Sequence, residues 1–279
     1  MYACCSVLPS RVESPVFASS VKKLASYAEI SQIYIFYPKH CRRLDIAYPE
    51  VPVWMKQTQK VNVVSCEDMG PATKFLSLLD MVPQNQLYGV LLFDDDRMYP
   101  EGWWEPLIES YKQHKGESAV GRHGSLKVYD CFSYSTWNFS GDEEAFLSMK
   151  TTFGVIYPRK ALPSCTAEAV EFIQKYKKYG SENNDDMMLA AWCFKNDTKI
   201  YIIPTKKEDF STWEIKNANE NDAASLCLKP RHVQKQLELA SKMMFEGDFP
   251  VPWVDIAAYV AIGILIIALI VFIVFIIIS

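Results

Sequence analysis

The chain has 279 residues, 33 acidic against 29 basic side chains, and a formal net charge of −4. That length suits one sizeable domain or a domain and a half. The mild charge and the lack of a basic block exclude nucleic acid as an expected partner. Eight cysteines, scattered through apolar segments with no C-x-x-C pair, argue against a zinc site and for reduced, buried thiols.

In chain order, CCSVL reads as a first short strand. Val21, Leu24 and Ala28 then follow helical spacing, and QIYIFY at 32–37 and VNVVS at 61–65 read as strands. Pro71 opens a helix, PATKFLSLLDMV, at the first-turn position where proline is tolerated. The apolar strand LYGVLLF, 87–93, follows and runs into Asp94, Asp95 and Asp96. EGWWEPLIE reads as the next helix, and 116–141, rich in Tyr, Ser and Gly, gives no clear pattern. TFGVIY at 152–157 reads as a strand, 167–178 as a helix, SENNDDMMLAAWCF as a helix start and 199–203 as a strand. Residues 206–223 read as a polar loop, and Val233, Leu237, Ala240 and Met244 as one stripe of a last amphipathic helix. The β-α-β-α-β order of the first half predicts an α/β fold with a mainly parallel sheet flanked by helices.

The C-terminus differs from the rest. Residues 256–278 carry no charge and read IAAYVAIGILIIALIVFIVFIII, roughly the 20 or more apolar residues that cross a bilayer as a helix. Trp253 and Tyr259 sit where interfacial aromatics belong. The first residues, MYACCSVLPSR, lack the basic start and long apolar core of a signal peptide. The expected organisation is a domain at 1–247, a stiff linker at 248–255 and a single transmembrane helix at 256–278. Such an anchor inserts after synthesis and contacts membrane lipid, which leaves the domain in the cytosol.

Three aspartates directly after a buried strand repel one another and resist desolvation, so a positive charge is expected beside them. In open α/β sheets ligands bind beyond the carboxyl ends of the strands. Carboxylates there suit Mg²⁺ or Mn²⁺, which prefer oxygen ligands and often share them with substrate phosphates. A metal in that position would stabilise a diphosphate leaving group. The other reading is an acidic turn before the helix EGWWEPLIE. Asp185 and Asp186 stand at a second helix start, where a carboxylate serves either as a general base or as a cap in the helix dipole.

Four stretches together resemble the nucleotide-sugar glycosyltransferases of the GT-A fold, in particular the small family-2-like domains of large DNA viruses and protists. LPSR (8–11) resembles the segment that meets the nucleotide, and DMGPATKFL (68–76) a segment around its diphosphate. LLFDDDRMYP (91–100) resembles the metal-binding D-x-D strand end, and NNDDMMLAAW (183–192) the acidic motif that carries the catalytic base of inverting members.

The resemblance implies that Asp96 binds the metal directly, that Asp94 contacts the ribose or a metal water, and that Asp95 takes either role. It implies nucleotide contacts for Pro9, Ser10, Arg11 and Lys74, and a base at Asp186 in preference to Asp185. A downstream histidine often completes the metal site of this family, and His232 and His123 are the candidates. Trp103 and Trp104 read as core or as a platform for a sugar ring, and Gly154 as a point where a substrate nears the backbone.

The expected activity is metal-dependent, inverting transfer of one sugar from a nucleoside diphosphate, with uridine the commonest base of the family, to a hydroxyl on a glycan, protein or lipid. The alternatives are a nucleotidyltransferase, although LPSRVESP is not a Gly-rich basic phosphate loop, and an inactive tail-anchored protein that binds nucleotide sugars.

Overall fold

The computed structural model describes residues 1–84, 88–129, 134–139, 143–144, 148–203, 239, 242–243 and 246–247. The loop read at 206–223, the linker, the apolar stretch 256–278 and His232 lie outside the described residues. Among the described residues no helix is long and apolar enough to cross a membrane.

Two neighbouring strands lie in the interior of the sheet, β1 (Tyr2–Ser6) and, later in the chain, a strand at Gly89–Leu92 that is buried throughout. Strands this apolar need cover on both faces, and alternate side chains supply two cores. Ala3 and Cys5 point to one face, with Phe17, Val21 and Leu24 of α1 (Pro15–Ser26). Cys4 points to the other, with Phe75, Leu76, Leu78 and Leu79 from a helix at Thr73–Leu79.

The chain continues through β2 (Gln32–Pro38), a small ribbon of β3 (His40–Cys41) and β4 (Ile46–Ala47), α2 (Val53–Gln57) and β5 (Val61–Cys66). Then come α3 (Thr73–Leu79), β6 (Gly89–Leu92), α4 (Glu105–Gln113) and β7 (Ala119–Gly121). Next are β8 (Gly124–Tyr129), β9 (Tyr134–Phe139), β10 (Glu143–Glu144), β11 (Ser148–Met149) and β12 (Val155–Pro158). The described elements close with α5 (Thr166–Lys175), α6 (Asp185–Lys195) and β13 (Ile200–Ile202).

The main sheet has eight strands in the order β10-β13-β7-β12-β6-β1-β2-β5. β5, β2, β1 and β6 run parallel, and β12 runs antiparallel to both β6 and β7. The sheet is therefore mixed and mainly parallel, flanked by helices, as the alternation of elements predicts. β11, β8 and β9 make a separate three-stranded sheet.

Several boundaries differ from the sequence reading. The strand expected from 152 begins at Val155, because Thr151–Phe153 forms a tight 3-10 turn closed by Gly154 at φ 80°. Pro71 opens a 3-10 turn, Gly70–Ala72, and the α-helix proper is Thr73–Leu79. The segment 116–141 holds β7, β8 and β9, whose Gly-, Ser- and Tyr-rich residues break the apolar alternation that marks a strand. Leu239 and Met243 are helical and fully buried against the core that holds α5 and α6. All six cysteines among the described residues are free, and Cys4, Cys5, Cys41 and Cys193 are buried.

Candidate functional site

The parallel pair β1 and β6 ends side by side, so the loops after them meet. Pro9–Arg11 forms a 3-10 turn after β1, and Asp94–Asp96 leave β6. Both oxygens of Asp95 hold the first loop: Oδ2 accepts the Leu8 N–H at 2.7 Å and Oδ1 accepts Arg11 Nη1 at 2.7 Å. The same Arg11 nitrogen lies 3.1 Å from Asp96 Oδ2, and Arg97 Nε lies 3.4 Å from Asp96 Oδ1.

Lys74 joins the two acidic motifs. Its Nζ is 2.6 Å from Asp94 Oδ1, 2.9 Å from Asp185 Oδ2 and 3.0 Å from Thr151 Oγ1. The backbone brings α3 and α6 together for this purpose. Asp68 accepts the Gly70 N–H and the Arg42 N–H, which shapes the turn before α3. Gly70, at φ 67°, lies against the carbonyl of Glu182 so closely that a Cβ would sit 2.7 Å from it. A side chain there would push the start of α3 away from the start of α6.

The positive charge that the three aspartates require is thus present in the chain itself, as Arg11, Lys74 and Arg97. Lys74 is buried, and burial works against its charge, yet Asp185, Asp94 and Asp186 hold its ammonium well above the usual lysine range. Asp94 is desolvated as well, but Lys74 outweighs that and keeps its carboxyl below the ordinary value. Asp96 is pushed up to about 6, first by burial and then by the charges of Asp94 and Asp95.

Asp186 is pushed up to about 7, by desolvation and then by Asp185. Its Oδ1 accepts the Thr151 N–H at 3.1 Å, a bond that leaves its own helix. An unfolded aspartate titrates near 4, so between about pH 4 and 7 the folded chain holds a proton that the unfolded chain has lost. Stability from this group therefore falls as pH rises through that window. Asp186→Asn keeps an oxygen for Thr151 and removes the buried charge. We expect it to raise the melting temperature by roughly 2–6 °C at pH 8, with most of the gain gone at pH 4. A variant that melts lower than the parent at pH 8 contradicts this.

Other residues singled out in the sequence fall differently. Trp103 and Trp104 are 3 % and 0 % exposed, so they are core and not a sugar platform. Arg122 covers the Trp103 ring at 3.9 Å, and Trp103 Nε1 donates to the Phe153 carbonyl. Gly154 does not open the backbone to a substrate, because Trp104 fills the space over it: a Cβ would lie 2.3 Å from Trp104 Cζ3. His123 packs on Phe153, with ring centroids 5.0 Å apart. Pro9 is buried and Ser10 exposed beside the site. Arg11 and Lys74, expected to contact the nucleotide, are engaged by carboxylates. Arg97 and Thr151 were missed. Arg97 directly follows the aspartates and was legible as a counter-charge, whereas nothing in the sequence marks Thr151.

Among the described residues no group of three or more His, Cys, Asp or Glu side chains forms a metal-binding cluster. Of the three aspartates, Asp94 and Asp96 are the ones that could offer a ligand, since both oxygens of Asp95 accept hydrogen bonds from the loop after β1. Asp96 Oδ1 is buried and makes no hydrogen bond. Hard carboxylate oxygens, one of them held by no hydrogen bond and only by the Arg97 charge 3.4 Å away, fit Mg²⁺ or Mn²⁺ of the kind held by one or two carboxylates together with substrate phosphates.

A neighbouring cleft of about 630 Å³ lies beyond the carboxyl ends of β2 and β5, lined by Lys39, His40, Arg42, Ser65, Cys66, Glu67 and Asp68.

No family model matches the chain, and no curated protein matches it. Among solved structures it is similar to a 4-diphosphocytidyl-2C-methyl-D-erythritol synthase from Anaerococcus prevotii, at 14 % identity over 75 % of this chain and 88 % of that one, with a TM-score of 0.44. It is also similar to a 2-C-methyl-D-erythritol 4-phosphate cytidylyltransferase from Francisella tularensis, at 10 % identity over 76 % and 97 %, again with a TM-score of 0.44. At these identities and scores the likeness identifies neither a family nor an activity.

Proposed function

We propose that the chain is a nucleotide-dependent transferase with its active site where β1 and β6 end and α6 begins. The observation that carries this reading is the meeting of two acidic motifs on one buried lysine, Asp94 and Asp185 on Lys74. A structural ion pair needs one carboxylate. This site holds five aspartates against three cations, an excess of negative charge beside strand ends that suits a divalent ion.

In the first reading the donor is a nucleoside diphosphate sugar. Asp94 and Asp96 would hold Mn²⁺ or Mg²⁺, which would supply electrostatic stabilisation of the diphosphate. Arg11 would turn toward the phosphates, and the cleft beyond β2 and β5 offers room for the nucleoside. Asp186, raised to about 7, suits removal of a proton from an acceptor hydroxyl at neutral pH. Apolar residues 256–278 would tether the domain to a membrane, with the site on the cytosolic side.

The second reading is nucleotidyl transfer, the activity named for the Francisella tularensis structure. The same pair of carboxylates with Arg11 and Lys74 suits attack of a sugar phosphate on a nucleoside triphosphate. The absence of a Gly-rich loop in LPSRVESP weighs against it.

Product analysis separates the two. The full chain in detergent with Mn²⁺ would be given nucleotide sugars, and separately nucleoside triphosphates with sugar 1-phosphates. Release of nucleoside diphosphate from the first set is expected. Pyrophosphate from the second set would establish nucleotidyl transfer instead. No product and no thermal shift with either set would overturn both readings.

A further inference from the structure

We propose that Lys74 is a resident counter-ion shared by Asp94 and Asp185, and that it must give up Asp94 and keep Asp185 before Asp94 can serve a divalent ion. The inference rests on the metal reading above. Its basis is geometric. The ammonium sits 2.6 Å from Asp94 Oδ1, on a carboxylate of the donor pair, and 2.9 Å from Asp185 Oδ2. Thr151 Oγ1, 3.0 Å away, is a third partner that remains available during the shift. A small displacement of Nζ therefore releases Asp94 while the contacts to Asp185 and Thr151 are kept.

A divalent ion and an ammonium on one carboxylate repel, and in a buried site salt screens that repulsion weakly. Lys74 thus compensates the acidic cluster and disfavours metal binding there. Asp185 is the partner that retains the ammonium when Asp94 is released. In this role Lys74 is a positioning residue, and Asp185 sets how readily it leaves.

The test is Mn²⁺ binding alone, followed by the paramagnetic resonance signal of the free ion, on the full chain in detergent. Lys74→Met should bind Mn²⁺ at least about tenfold tighter than the parent, because a charge next to the ion is gone. Lys74→Arg keeps the charge and should show no such gain. Asp185→Asn removes the carboxylate that retains the ammonium, leaves Lys74 to Asp94, and should bind at least about threefold more weakly. If Lys74→Met does not fold, as judged by circular dichroism, Asp185→Asn decides. Equal affinity in the parent, Lys74→Met and Asp185→Asn overturns the inference and leaves the metal reading intact. Folded variants that all fail to bind Mn²⁺ overturn both.

Discussion

Asp96→Asn is expected to lower transfer by at least about a hundredfold and to leave the protein as stable as before, or more so, at neutral pH. The two effects have one origin. Asp96 is held among Asp94 and Asp95 in a buried position, and its carboxyl is pushed up to about 6. Between about pH 4, where an unfolded aspartate ionises, and pH 6 the folded state loses stability as pH rises. Above that window the ionised side chain is a standing cost to the fold. Its Oδ1, buried without a hydrogen bond and with only the Arg97 charge 3.4 Å away, is the atom a divalent ion would use. Asparagine keeps the shape, removes the charge and offers a poor ligand. The measurements are product release at saturating donor and melting temperature at pH 4 and pH 8. A variant that retains activity would remove Asp96 from the metal site. One that loses activity and also melts much lower would mean that the carboxylate serves the fold through Arg11 and Arg97.

Gly154→Ala is expected to destabilise the protein by about 3–5 kcal/mol, from backbone strain and a packing clash together. Gly154 lies at φ 80°, ψ 130°, a conformation that side chains other than glycine avoid. Its added methyl would lie 2.3 Å from Cζ3 and 2.9 Å from Cη2 of Trp104. Trp104 has no room to yield: it is fully buried, 4.3 Å between centroids from Tyr99 and 6.4 Å from Phe93. Gly102 provides the control. It has φ 72°, and a Cβ there would meet nothing within 4 Å, so Gly102→Ala should lose only about 1 kcal/mol. Chemical denaturation of both variants would separate strain from clash, and equal losses would show that the Trp104 contact carries no weight. Activity should fall in Gly154→Ala as well. The turn it closes holds the Thr151 N–H on Asp186, Thr151 Oγ1 on Lys74 and Thr152 Oγ1 on Arg97.

The sequence alone determined several of the strands and helices and where the acidic groups fall along them. β-branched and aromatic runs marked β2 and β5, proline at a first-turn position marked the approach to α3, and the abrupt end of an apolar run marked Asp94–Asp96 as a strand end. It also showed that a positive charge had to stand beside those aspartates. Tertiary structure alone decided which charge that is. Arg11 reaches Asp95 across 84 residues, and Leu8 reaches it across 87, because β6 pairs with β1 in parallel. Lys74 meets Asp94 and Asp185 because Gly70 lets the turn before α3 close on Glu182. Trp104, which read as core or as a sugar platform, is core, and it fills the space over Gly154, which read as a point where a substrate nears the backbone. Local propensity and hydrophobic period act over a few residues. The partners of a buried charge are set by strand order and by backbone contacts far apart in the chain, which no local pattern encodes.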